Sequence, residues 1–256
     1  IGLLNAVSAP SNALIRNELT GETRILQTAE LTNYNVLALD QALPNNSAVS
    51  FINTNVLREG AARDANVSAL TFNLRDRQNL YEFFGENRLS LVWPDGNKPT
   101  DKGFGYRYGV NKVSGAWGWQ ISHASTDNHY DQRDMGLFRR NNFSSLYGLV
   151  SHSNYQQRGN IAATYAHLSL ENTWLRSPTQ WEALEIEGYG ELTNTGRQTF
   201  SLLLISRPLW HYDYFEPRVT GAKYRHAPYV FALPGFRTNT AKRLFAKFQL
   251  SYGESP

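Results

Sequence analysis

Five stretches of this chain place large apolar residues at every second position, with carboxylates, Arg, Lys or amides between them. The clearest is Leu184-Glu185-Ile186-Glu187-Gly188-Tyr189-Gly190-Glu191-Leu192. On a strand, its Leu and Ile face one side while Glu185, Glu187 and Glu191 face the other. Three carboxylates on one face call for water, and an apolar opposite face calls for protein or lipid. In Phe104 to Val110 three aromatics and Val110 share a face, and Arg107 takes the other. Around Tyr81-Glu82-Phe83 and Leu89 to Trp93 the odd positions are mostly apolar and are opposed by Glu82, Glu86 and Arg88. Ala162, Thr164, Ala166, Leu168 and Leu170 alternate with Tyr165, His167, Ser169 and Glu171. Leu244, Ala246, Phe248, Leu250 and Tyr252 alternate with Lys247, Gln249 and Ser251. All five predict strands.

Other segments mix small, apolar and amide residues on both faces: Asn35 to Leu43, Ala48 to Leu57 and Ala65 to Leu74. Alternation there fits a lumen-lining strand and a sandwich strand equally well. Pro44-Asn45-Asn46, Asp95-Gly96 and Asn194-Thr195-Gly196 are turn candidates, since Asn and Gly tolerate the left-handed backbone of tight hairpins. Ser125 to Asn142 is polar and predicts a long loop. Roughly 12–14 strands fit the chain at about 10–15 residues per strand and turn. The fold expected is all-β, an antiparallel transmembrane β-barrel, with 1–256 as one barrel domain incomplete at both ends.

Composition sharpens this picture. Aromatic residues are plentiful (14 Tyr, 13 Phe, 6 Trp), while the mean hydropathy of -0.47 resembles that of a soluble protein. Transmembrane barrels combine the two, because only alternate side chains meet lipid. A spanning helix needs roughly 20 apolar residues, and the longest apolar run of the second half is Leu202 to Ile205. The absence of cysteine favours export through an oxidising compartment. The net charge of +3 is scattered among acidic residues and makes no basic stripe, which argues against nucleic acid as a partner. The chain opens on Ile-Gly-Leu-Leu, so a longer precursor with a signal peptide is expected.

Three segments carry a resemblance. They are Leu31 to Gln41 followed by Asn45-Asn46-Ser47; Phe51 to Val56 with Asp64-Ala65-Asn66-Val67; and Asp213-Tyr214-Phe215-Glu216-Pro217-Arg218. Gly2-Leu3-Leu4-Asn5-Ala6 and Asp134 to Asn142 fit the same pattern. Together they resemble the large C-terminal region of the DUF5916 family, found chiefly in Bacteroidota. The resemblance implies an outer-membrane barrel preceded, in family members, by an export signal and a carbohydrate-binding, family-9-like β-sandwich. That sandwich has no counterpart in these residues, so no sugar-binding residue carries over. Strands expected beyond the last residues are also absent, which leaves this piece short of a closed barrel. The resemblance implies a location and no activity.

The candidate chemistry is sparse. Asp127, Asp131 and Asp134 lie close enough in sequence to suggest Ca²⁺. Their spacing lacks the EF-hand pattern and Arg133 intervenes, so a solvated loop touching lipopolysaccharide or a partner is preferred. Glu185, Glu187 and Glu191 suggest a paired-carboxylate glycosidase, with neighbours about 6.6 Å apart along a strand. Lumen charge balanced by basic residues on adjacent strands explains them better. The six His residues show no metal-ligand spacing and no Gly-x-Ser-x-Gly elbow exists. No cofactor is expected. The six Trp residues fall near expected strand ends, as in an interfacial girdle, with a sugar-stacking platform as the alternative.

The function expected is therefore non-enzymatic. It is an outer-membrane pore, or an anchor for a carbohydrate-binding domain, touching lipid, lipopolysaccharide and other outer-membrane proteins or glycans. Glu82, Arg107, Glu185, Glu187, Glu191 and Lys247 are the lumen-facing candidates. The alternatives are a soluble carbohydrate-binding sandwich or propeller, and a glycan hydrolase.

Overall fold

The computed structural model describes residues 1–60, 62–94, 101–136, 138, 140–219 and 221–254. Among them there is no α-helix, and one 3-10 turn at Arg133–Met135 is the sole helical piece. The strands are β1 (Gly2–Ser8), β2 (Ser11–Arg16), β3 (Thr23–Ala29), β4 (Thr32–Leu43), β5 (Ser47–Arg58), β6 (Asp64–Arg75), β7 (Tyr81–Trp93), β8 (Asp101–Lys112) and β9 (Trp117–Thr126). They continue with β10 (Phe143–Asn154), β11 (Ile161–Leu175), β12 (Gln180–Asn194), β13 (Thr199–Arg207), β14 (His211–Asp213), β15 (Tyr224–His226), β16 (Tyr229–Arg237), β17 (Lys247–Gln249) and β18 (Tyr252–Glu254).

Fourteen strands form one sheet in the order β1-β4-β5-β6-β7-β8-β9-β10-β11-β12-β13-β16-β17, with β18 also pairing β16. The sheets are antiparallel, and no ladder joins β1 to β17 among the described residues. β2 with β3, and β14 with β15, make separate two-stranded ladders. The chain divides into two compact units. One holds Ile1–Asn73, Gly85–Tyr106 and Thr126–Asn142; the other holds Leu74–Phe84, Arg107–Ser125 and Phe143–Pro256.

In the second unit, register turns the alternation into two opposed faces. Leu170 lies opposite Ile186, Leu168 opposite Gly188, Gly188 opposite Leu204 and Leu204 opposite Ala232. Directly opposed residues share a face, so Leu146, Val150, Leu168, Leu170, Phe200, Leu202, Leu204 and Val230 form one apolar side. That side is open, from 41% exposed at Leu204 to 50% at Phe200. The opposite side carries the carboxylates, and there Ser145, Ser169 and Thr199 are buried. A soluble sheet hides its apolar face and wets its polar one; these strands do the reverse.

The first unit explains why its segments read as mixed. Asn5 Nδ2 donates to Asn33 Oδ1 at 2.6 Å and to Asn35 Oδ1 at 2.7 Å. Asn35, Asn55 and Asn66 follow one another across β4, β5 and β6. Asn53 Nδ2 donates to Asn66 Oδ1 at 3.0 Å and Ser68 Oγ at 2.7 Å. This amide ladder shares its face with Leu39, Phe51 and Leu70, whereas Val56 and Ala65 are closed off on the reverse face. All three mixed segments are strands.

Two expectations need correction. Leu244 to Tyr252 is not one strand, since only Lys247–Gln249 and Tyr252–Glu254 pair, both with β16. The cause lies on the neighbour: Pro234 has no N–H to give, and the ladder breaks opposite it, leaving one Leu250 N–H to Pro234 carbonyl bond of 3.2 Å. In the β12–β13 hairpin the left-handed residue is Arg197 (φ 61) and not Asn194 or Gly196. Asn194 instead uses its side-chain oxygen to accept the Gln198 N–H at 2.9 Å. Asp95-Gly96 lies outside the described residues.

The Pro44-Asn45-Asn46 turn forms as expected, with φ of 60 at Asn45 and 54 at Asn46. Both central residues are left-handed, the geometry whose twist matches a hairpin. Asn46→Val places a β-branched side chain there and is expected to cost about 1–2 kcal/mol, read as a lowered unfolding midpoint beside Asn46→Gly, which should be nearly neutral.

Candidate functional site

In the second unit, the strand periodicity and the register bring most of the charged candidates to one side of the sheet. Glu185, Glu187 and Glu191 alternate along β12 and stand opposite Glu171, Ser169 and Tyr165 of β11. Each has its own partner. Arg207 Nε meets Glu185 Oε2 at 3.0 Å, and His167 Nε2 meets Glu187 Oε1 at 3.0 Å. The Tyr189 hydroxyl donates to Glu191 Oε2 at 2.6 Å. Lys247 lies opposite Arg237, and the two join Tyr189, Glu191, Ser201 and Gly235 around a cavity of about 250 Å³. Nearer the start of this unit, Arg75 Nε meets Glu82 Oε2 at 2.8 Å, and Asn111 Nδ2 donates to Glu82 Oε1 at 3.1 Å. The Arg107 guanidinium lies 5.5 Å over the Phe84 ring. Carboxylates each held by a separate partner, an arginine at Glu185 and Glu82, a histidine at Glu187 and a tyrosine hydroxyl at Glu191, are spread along the face; a glycosidase dyad needs two carboxyls with divergent environments facing one sugar.

In the first unit, the long polar segment is a loop as expected, but a tightly seated one. Asp127 Oδ1 accepts the N–H groups of His129 (3.0 Å) and Tyr130 (2.7 Å), and its Oδ2 accepts that of Phe104 (2.7 Å). This winds the chain so that Tyr130 is fully buried. Its ring meets Phe138 edge-on at 5.8 Å and lies 5.3 Å from the Arg88 guanidinium. Gly103 makes the approach possible: a Cβ there would stand 2.0 Å from the Tyr130 Cα. No side chain fits between β8 and this loop.

Arginines then fasten the loop's carboxylates. Arg63 spans both, with Nη2 at 2.8 Å from Asp131 Oδ2 and Nε at 2.9 Å from Asp134 Oδ2. Arg58 reaches Asp134 Oδ1 at 2.8 Å, and Arg133 reaches Asp131 Oδ2 at 2.6 Å. The Arg133 hydrogen bonds hold the Asp131 carboxyl far below the usual carboxylate range, outweighing its partial burial, with Arg63 adding to the effect. Asp127, Asp131 and Asp134 thus spend their oxygens on amides and guanidinium groups. Among the described residues they do not converge as a cation cage. The partners Arg58 and Arg63 were not foreseen, because the pairs span up to 76 residues and no local spacing marks them.

The Trp residues do sit toward strand ends: Trp93 closes β7, Trp117 opens β9, and Trp174 and Trp181 flank the β11–β12 turn. The Trp181 indole donates to Asn172 Oδ1 at 2.8 Å, and the Arg225 guanidinium covers the Trp210 ring at 3.9 Å. Those two are already engaged, which weakens the sugar-platform alternative.

The architecture is that of an all-β protein built on one large antiparallel sheet, whose carboxylate-bearing face in the second unit is the more covered one. Residues 1–255 match the family described as Domain of unknown function (DUF5916), and the chain belongs to that family. No curated protein and no solved structure matches it.

Arg63→Ala removes two partly exposed ion pairs while Arg133 and Arg58 keep one each to Asp131 and Asp134, and should cost about 0.4–2 kcal/mol, seen as faster amide exchange across 127–142 with β12 unchanged. Because the folded-state pKa of Asp131 is depressed, its contribution is complete above the ordinary carboxylate pKa of about 3.9 and is lost as pH falls below it. Protection of the loop amides, after correction for the intrinsic pH dependence of exchange, should therefore fall on acidification below about pH 4, and Asp131→Asn should flatten that dependence.

Proposed function

We propose that this chain is the strand-built membrane part of a non-enzymatic bacterial outer-membrane β-barrel. It acts as a pore, or as an anchor and scaffold for a carbohydrate-binding domain. One observation carries the reading: in the second unit the large apolar side chains from β10 to β16 lie on the uncovered face of the sheet, while the opposite, carboxylate-bearing side holds the buried Ser145, Ser169 and Thr199. Apolar area of that extent on a water-facing surface marks an interaction site or an aggregation hazard, and hydrocarbon is the partner that fits alternate residues on successive strands.

Dimensions support it. A tilted membrane strand needs about 9–11 residues, and β4 to β8 and β10 to β12 run from 12 to 15. Trp residues near strand ends suit the headgroup level, where a ring is buried and its N–H stays wet. On this reading Glu82, Arg107, Glu185, Glu187, Glu191 and Lys247 face an aqueous interior and set the field a solute meets. Lipid and lipopolysaccharide are the surrounding partners. Catalysis has no part in it.

Partition is the direct test. The protein should enter detergent micelles and stay out of detergent-free buffer; a monodisperse protein in plain buffer would overturn the reading. Leu204→Arg should lower stability in a bilayer by about 2–4 kcal/mol if the site lies near the midplane, whereas Leu203→Lys, on the opposite face, should be tolerated. Conductance steps in a planar bilayer separate pore from anchor, and a silent, correctly inserted protein leaves the anchor.

A further inference from the structure

The β14–β15 hairpin carries a site that sequence spacing does not reveal. His211 stands opposite His226 and Asp213 opposite Tyr224, so His211, Asp213 and His226 share a face of the ladder. Beyond β14 the chain turns sharply: Asp213 Oδ1 accepts the N–H groups of Phe215 at 2.7 Å and Glu216 at 3.0 Å. That turn returns Glu216 to the hairpin face. One carboxylate oxygen each from Asp213 and Glu216, and one ring nitrogen of His226, all lie within 4.8 Å of one another.

We propose that Asp213, Glu216 and His226 bind a divalent transition-metal ion, with Zn²⁺ as the representative cation. Ligand atoms on a tetrahedral Zn²⁺ stand about 3.4 Å apart. The exposed Glu216 side chain has the freedom to close the difference by rotation, while the half-buried Asp213 and His226 are held by the turn and the ladder. The donor set selects the class: an imidazole suits Zn²⁺ and its neighbours, and Ca²⁺ and Mg²⁺ prefer oxygen alone. Three protein ligands leave coordination open for water or an external donor.

A second observation points the same way. The His211 ring stacks on that of His226, centroids 5.2 Å apart and planes 20° from parallel, which fixes the orientation of the proposed ligand. His211 itself is 6% exposed, and its Nδ1 is enclosed without a hydrogen-bond partner. Asp213 and Glu216 belong to the run Asp213-Tyr214-Phe215-Glu216-Pro217-Arg218, to which neither the charged face nor the seated loop gives a task. The inference does not depend on the membrane reading.

The test uses the full chain in detergent, free of any affinity tag and stripped with chelator, titrated with Zn²⁺ by calorimetry and with Co²⁺ by visible absorption. One equivalent should bind, with the absorption of a low-symmetry Co²⁺ site. Glu216→Gln alters an exposed side chain and should fold normally; loss of one ligand should weaken binding about tenfold or more. His226→Gln should abolish the Co²⁺ spectrum, and His152→Gln, remote from the hairpin, should leave it intact. Absence of a stoichiometric site would overturn the proposal. So would binding indifferent to both Glu216→Gln and His226→Gln, or Ca²⁺ displacing Zn²⁺ at equal concentration.

Discussion

The two-residue period of an extended chain governs this molecule. Every strand must present two faces, and in the second unit the apolar one stays exposed among the described residues. What would be the core of a soluble domain is therefore turned outward, and the side that closes is lined by Ser, Thr, Glu, His and Arg. Burial of polar groups is tolerable only when they are partnered. The carboxylates of that side accordingly have partners: Glu185 with Arg207, Glu187 with His167, Glu191 with Tyr189. The electrostatics of this face follow from the direction in which its hydrophobic residues were sent.

Where the alternation was strict, the sequence was sufficient. β7, β8, β11 and β12 are legible because each has one apolar and one charged face, and the three Glu residues of β12 do share a side. Where another interaction competed, it was not. β4, β5 and β6 carry asparagines that bond to one another across the ladder, and an amide satisfied by its neighbour carries no face label in a polarity pattern. The C-terminal ribbon reads as a strand by its own residues, yet its continuity is decided by Pro234 on the strand beside it. Partners were the least visible. Arg63 and Asp131 meet across 68 residues, and His211 and His226 meet only because the hairpin register sets them opposite. Those facts belong to register, which no local window contains.

The loop at 127–142 adds a different kind of order. Among its described residues Tyr130 is the buried apolar one, in contact with Phe138, and the loop is held by a missing side chain at Gly103 together with charge pairs to Arg58 and Arg63. Ion pairs of this partly exposed kind are individually modest, and here Arg63 joins two of them. The loop is thus positioned by shape and retained by charge, so its hold responds to salt and acid in a way that the strand ladders do not.

The two margins of the large sheet are unlike each other. At one, the seven-residue β1 pairs with β4 along its length and turns the backbone groups of alternate residues to its other edge, which has no ladder partner among the described residues. At the other, β17 and β18 are three-residue fragments separated opposite a proline. An added ribbon needs an unbroken row of amides to zip against. A ready row of amides is therefore present at the β1 margin, whereas the proline-split margin must first lengthen its fragments before a further strand can zip along it.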